Sequence, residues 1–174
     1  MHPSITHSQI SKHVLSMKDY LKFDESQTIF TVISSSFDPS VQDFFMPLFS
    51  GAKIILGDQN TAKDGWLLRK KLNESDATMM VATPPTWRML LMSGWKGKSD
   101  LTLISTGEAL SKKLAGELMD CGKELWNFYG PTETVIYATA KKVDELDLKE
   151  GSLSHWVSIG AALPETSIYI LDKK

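Results

Sequence analysis

Apolar and polar positions in this chain fall into short blocks whose period switches repeatedly between that of a strand and that of a helix. Thr28–Ser34 (TIFTVIS), Lys53–Leu56 (KIIL), Thr78–Ala82, Leu101–Ser105 (LTLIS) and Glu124–Phe128 are brief apolar or β-branched runs, and each predicts a strand, Thr28–Ser34 a buried one. Between them the spacing lengthens. Met1–Lys22 sets Ile5, Ile10, Val14, Leu15, Tyr20 and Leu21 on a helical stripe, with Ser8 as the expected N-cap. Asp38-Pro39 opens a second helix through Val41, Phe44, Phe45, Leu48 and Phe49, and Gly51 ends it. Asp64–Asn73, a segment begun by Pro84-Pro85, and Ser111–Asp120 supply three more helices.

Strands and helices that alternate in units this short predict an α/β fold, a mostly parallel sheet with helices on both faces. The alternation breaks near Gly130. Beyond it Thr134–Lys142 and Thr166–Leu171 (TSIYIL) read as additional strands, expected antiparallel beside the sheet. Lys141–Gly151 is dense in charge and predicts a solvated surface connection.

Composition adds exclusions. The 174 residues are 42% hydrophobic and carry a net charge of −2, which fits a folded domain and not a disordered tail. Only two of the nineteen basic residues are Arg, so a nucleic-acid face is not expected. The lone Cys121 forms no internal disulfide, no apolar run has membrane-spanning length, and a cytoplasmic location is expected. The four His show no metal-ligand spacing, and His7 is expected to pack locally.

In parallel α/β sheets ligands bind beyond the carboxyl ends of the strands. Three predicted strand ends run into suggestive loops: Ser34–Ser40 (SSSFDPS), Ser105–Ala109 (STGEA) and Asn127–Glu133 (NFYGPTE). Each has an ordinary explanation, since Asp38 can be a helix cap, Gly107 a turn and Tyr129-Gly130-Pro131 a corner. Their recurrence at successive strand ends favours a site.

NFYGPTE closely resembles the core motif of adenylate-forming enzymes, in particular the amino-acid adenylation domains of nonribosomal peptide synthetases. SSFDPSVQDFFMPLFSGAKIIL, ATPPTW, STGEAL and SIGAALPETSIYILD are similar to further segments of that family, in the same order, so the resemblance covers nearly the whole chain. It departs at Thr106, where the family has a glycine. The resemblance implies a single partial domain over residues 1–174, the central part of an AMP-binding domain within its large N-terminal lobe. The family's phosphate loop would precede it, and its later glycine-rich and ribose-binding motifs and C-terminal lobe would follow it. A piece so bounded is expected to be inactive alone.

The implied chemistry joins an amino-acid carboxylate to the α-phosphate of ATP, with Mg²⁺, before transfer to a carrier protein's phosphopantetheine thiol. Thr132 and Glu133 would be catalytic, Glu133 also as the Mg²⁺ ligand. Gly107, Glu108, Asn127, Phe128, Tyr129 and Gly130 would hold the nucleotide, with Tyr129 stacking on adenine and Asn127 pairing with its edge. Asp38 would pair with the substrate ammonium. Pro39, Gln42, Ala82, Ile104, Thr106, Phe128, Ile136 and Tyr137 would line the side-chain pocket, and Phe37 would stand at the mouth of the nucleotide site. With no Lys, Arg or second acid among them, a small or medium, largely uncharged side chain is expected. The competing readings are a standalone carboxylate, acyl-CoA or carrier-protein ligase of the same superfamily, and a non-catalytic α/β module.

Overall fold

The computed structural model describes residues 4–149 and 154–172. Seven strands form one sheet in the order β2-β1-β3-β4-β5-β6-β7. The first five are β1 (Thr28–Thr31), β2 (Lys53–Leu56), β3 (Met79–Ala82), β4 (Thr102–Ser105) and β5 (Glu124–Tyr129), and these pair in parallel. β6 (Thr139–Lys142) and β7 (Ala161–Ala162) then add antiparallel. The expected architecture is therefore present, including antiparallel strands after Gly130.

Helices cover both faces because β1, β3 and β4 are buried along their whole length. On one face α1 (His7–Leu21) and α2 (Pro39–Ser50) contribute Val14, Met17 and Met46, which pack on Ile29, Met79, Val81, Ile104 and Phe128. A short polar helix, α3 (Gln59–Lys63), follows β2. On the other face α4 (Gly65–Glu74), α5 (Pro84–Met92) and α6 (Lys112–Met119) bury Leu68, Leu72, Trp87, Leu90, Leu114 and Leu118 against Phe30, Met80, Leu103 and Leu125.

Several elements differ from the sequence reading. The cap of α1 is Thr6 and not Ser8, because Thr6 has extended backbone and forms a reciprocal capping box with Gln9. His7 is exposed, not packed. The expected strand Thr134–Lys142 keeps only its last four residues: Thr132–Thr134 forms a 3₁₀ turn, and Val135 and Ile136 take left-handed backbone with φ of 64° and 65°. Thr166–Leu171 is not a strand. Among the described residues it has no neighbour to supply ladder hydrogen bonds, and Ile168, Tyr169, Ile170 and Leu171 are exposed. Lys141–Gly151 is more than a connection, since it ends β6, buries Val143 and forms α7 (Glu145–Leu148); its last two residues lie outside the described ones.

Candidate functional site

The parallel register places Thr31, Ala82, Ser105 and Asn127 at matching ends of adjacent strands, so the loops after β1, β3, β4 and β5 open along one edge. Two of these loops touch. Gly107 adopts a φ of +84°, and a Cβ there would lie 3.3 Å from Cζ of Phe37, in the loop after β1. Gly130 closes the third loop, for a Cβ on it would come within 2.3 Å of the Ile136 carbonyl oxygen and 2.5 Å of the Tyr137 Cα. Only glycine permits that approach.

Asp38 occupies the N-cap position of α2 yet makes no capping hydrogen bond, because its backbone is already helical. Its Oδ2 is buried and has no partner among the described residues. The ordinary role of a cap is therefore not what this carboxylate does. Pro39 and Gln42 are buried on the same helix; the Gln42 amide contacts the Met46 sulfur, leaving Oε1 unpartnered.

Ile104, Phe128, Ile136 and Tyr137 join the core on the α1/α2 side of the sheet. The rings of Phe128 and Tyr137 meet edge to face at 5.0 Å, and His13 of α1 stands 6.1 Å from the Tyr137 ring. The buried Thr106 hydroxyl lies beside that of Tyr137. Burial, followed by the nearby Asp43 and Asp38 carboxylates, pushes the Tyr137 phenol well above its ordinary range. Ala82 is not brought together with these residues; its side chain packs in the opposite core.

The nucleotide candidates divide by strand alternation. Phe128 is buried against α1 and α2, whereas Asn127 is buried on the other side and donates its amide to the Ser158 carbonyl at 2.9 Å. Tyr129, at the tip of β5, is 48% exposed, a ring available for stacking. Glu108, Thr132 and Glu133 are exposed in the loops after β4 and β5. Phe37 is 38% exposed at the rim, not part of the core. Among the described residues, no three His, Cys, Asp or Glu side chains gather as a metal site. Glu133 is an exposed carboxylate that could supply one oxygen donor to a cation.

One acid was not legible as part of this region. Asp43 is completely buried on α2, one turn beyond Pro39, and accepts a 2.5 Å hydrogen bond from the Thr31 hydroxyl. Burial pushes its carboxyl up to about 7, against the pull of that bond. The spacing from Pro39 was the available signal, hidden because Asp43 sits within an apolar run.

Comparison with known proteins gives a consistent result. The family model described as AMP-binding enzyme matches residues 4–174. A PKS-NRPS hybrid synthetase, acdB, of Aspergillus candidus is 32% identical over 176 residues, covering 97% of this chain and 6% of that protein. A dimodular nonribosomal peptide synthase of Bacillus subtilis is 31% identical over 168 residues, covering 97% of this chain and 7% of that protein. The chain thus spans under a tenth of either relative's length. Among solved structures, holo-AB3403, a four-domain nonribosomal peptide synthetase bound to AMP and glycine, superposes with a TM-score of 0.82 at 32% identity, covering 91% of this chain and 12% of that one. The Vibrio cholerae adenylation domain AlmE, in complex with glycyl-adenosine-5'-phosphate, shares the fold with a TM-score of 0.79 at 21% identity, over 92% of this chain and 30% of that one.

Proposed function

The chain belongs to the AMP-binding enzyme family, and from that premise we propose that it is the central part of an adenylation domain that activates an amino acid with ATP. An oxygen of the amino-acid carboxylate attacks the α-phosphorus. The bond from that phosphorus to the bridging oxygen of pyrophosphate breaks, giving aminoacyl-adenylate and pyrophosphate. A carrier-protein phosphopantetheine thiol then attacks the acyl carbon, AMP departs, and the thiol proton is lost to solvent.

Each residue has a role its position supports. Asp38 receives the substrate ammonium, a charge-assisted contact strengthened by partial burial. Tyr129 stacks on the adenine, and Gly107 lets backbone approach the base. Asn127, whose amide also holds Ser158, can offer the adenine edge only its remaining hydrogen-bonding capacity. Thr132 donates to a phosphate oxygen, and Glu133 would ligate Mg²⁺. When bound, Mg²⁺ supplies neutralisation of the charge developing on the phosphates.

The observation that carries this reading is the half-buried Asp38 carboxylate, whose buried Oδ2 has no partner among the described residues, at the sheet edge where the Phe37 and Gly107 loops meet. A helix cap or surface acid has no use for that placement, whereas an ammonium anchor requires it. The test is ATP–pyrophosphate exchange by this chain expressed with its natural flanking sequence, offered amino acids, fatty acids and aryl acids in parallel. Exchange driven by one or a few amino acids is expected. Exchange driven only by fatty or aryl acids would favour an acyl ligase, and none with any acid would favour a non-catalytic module.

A further inference from the structure

We propose that Asp43 is a specificity-determining residue at the base of the side-chain pocket, and that the amino acid accepted there has an uncharged, hydrogen-bonding side chain ending in a hydroxyl or carboxamide. This rests on the adenylation reading above. None of the pocket positions matched from sequence includes Asp43, and its contribution comes from geometry alone.

The Asp43 side chain is fully buried, and one carboxyl oxygen is taken by the Thr31 hydroxyl at 2.5 Å. The other oxygen, Oδ1, is buried and has no partner among the described residues. It is not an isolated defect. Oε1 of Gln42, 2% exposed, is also buried without a partner among the described residues, and the Tyr137 hydroxyl, 1% exposed, has only the Thr106 hydroxyl beside it. The Tyr137 phenol feels the charge of both Asp43 and Asp38, and its ring packs on Phe128 at 5.0 Å. Gln42 and Asp43 are consecutive on α2, one turn beyond Asp38 and Pro39.

A buried polar atom left without a partner is costly, and native interiors contain few. The open oxygens of Asp43 and Gln42, one turn beyond Asp38 and Pro39, with the Tyr137 hydroxyl nearby, form a set that a polar side chain would satisfy and an apolar one would leave open. A cation fits poorly, because burial disfavours the ionised form of Asp43 and Asp38 is already assigned to the ammonium.

The test uses the chain with its natural flanking sequence and compares near-isosteric amino-acid pairs by ATP–pyrophosphate exchange: threonine against valine, asparagine against leucine, glutamine against methionine. A site built to hydrogen-bond its substrate rejects the analogue that lacks the group by far more than shape alone allows. The hydrogen-bonding member of the preferred pair is expected to win by about 10²-fold or more in kcat/KM. Tyr137→Phe and Asp43→Asn are each expected to shrink that ratio at least about tenfold, with KM for ATP unchanged. Tyr137→Phe deletes only a hydroxyl and serves if the Asp43 variant does not fold. Preference for an apolar or cationic amino acid, or a pair ratio unmoved by both variants, overturns the proposal while leaving amino-acid activation intact. Absence of exchange with every amino acid overturns the adenylation reading and this proposal with it.

Discussion

Phe37 and Gly107 meet although seventy residues separate them in sequence: a methyl group on Gly107 would lie 3.3 Å from the tip of the Phe37 ring. The contact joins the loop after β1 to the loop after β4 at one edge of the sheet, with β3 passing between their strands. Gly107→Ala should therefore act twice. It forces an L-residue to a φ of +84° and presses on Phe37, at a cost of about 1–3 kcal/mol. Equilibrium denaturation should show that loss, and nucleotide affinity should fall with it. Wild-type stability and affinity together would mean that neither the turn nor the contact matters.

Gly130→Ala should be worse. Its Cβ would meet backbone atoms of Ile136 and Tyr137 at 2.3–2.5 Å, and backbone cannot swing aside as the Phe37 ring can. A lower yield of folded protein than for Gly107→Ala is the expected outcome, read from the circular dichroism melt. The reverse order would contradict this packing.

Stability should depend on pH through two buried groups that oppose each other. The folded Asp43 carboxyl is pushed up to about 7 from 3.8, so folding retains a proton that the unfolded chain releases. Its stabilising contribution is full below about pH 4 and is lost as pH rises through 7. Burial pushes the His13 imidazole down to about 4 from 6.5, so folding excludes a proton that the unfolded chain takes up. That contribution is full above about pH 6.5 and is lost as pH falls through 4. Between those limits the two slopes oppose, and denaturation midpoints should change little from this pair. Asp43→Asn should expose a stability that rises with pH, and His13→Gln one that falls. Unchanged pH profiles in both variants would refute the linkage.

Tyr129→Ala should leave the melting temperature within about 1–2 °C, because the ring is 48% exposed at the end of β5. It should weaken nucleotide binding about tenfold, the scale of one lost base–aromatic contact. Titration with a fluorescent ATP analogue measures this directly, and equal affinity would remove Tyr129 from the nucleotide site.

The parallel sheet was legible in the sequence because its strands are buried on both faces. Apolar runs at β1, β3 and β4 carry that signature, whereas β2, found at its expected residues, is the edge strand with Lys53 and Leu56 exposed. What escaped was local or tertiary. Val135 and Ile136 are β-branched and extend the apolar pattern toward β6, yet they hold left-handed backbone that no residue preference announces. The run TSIYIL has every strand preference, but a strand is made by its neighbour, and among the described residues none pairs with it. α3 buries only Thr61, too little to leave a periodic signal. At the site, motif spacing identified the loops that share an edge. It could not reveal that Asn127 faces Ser158, that Ala82 turns into the opposite core, or that a second acid, Asp43, lies fully buried on α2.

The central claim is that Asp38 anchors the ammonium of an amino acid destined for adenylation. Its most direct test is ATP–pyrophosphate exchange by Asp38→Ala beside the unaltered protein, each carrying the natural flanking sequence, with nucleotide affinity measured in parallel. Loss of a charge-assisted contact to a partly buried group should lower kcat/KM for the amino acid about 10²-fold or more, with ATP affinity unchanged. Amino-acid-dependent exchange that survives Asp38→Ala at the level of the unaltered protein would contradict the account.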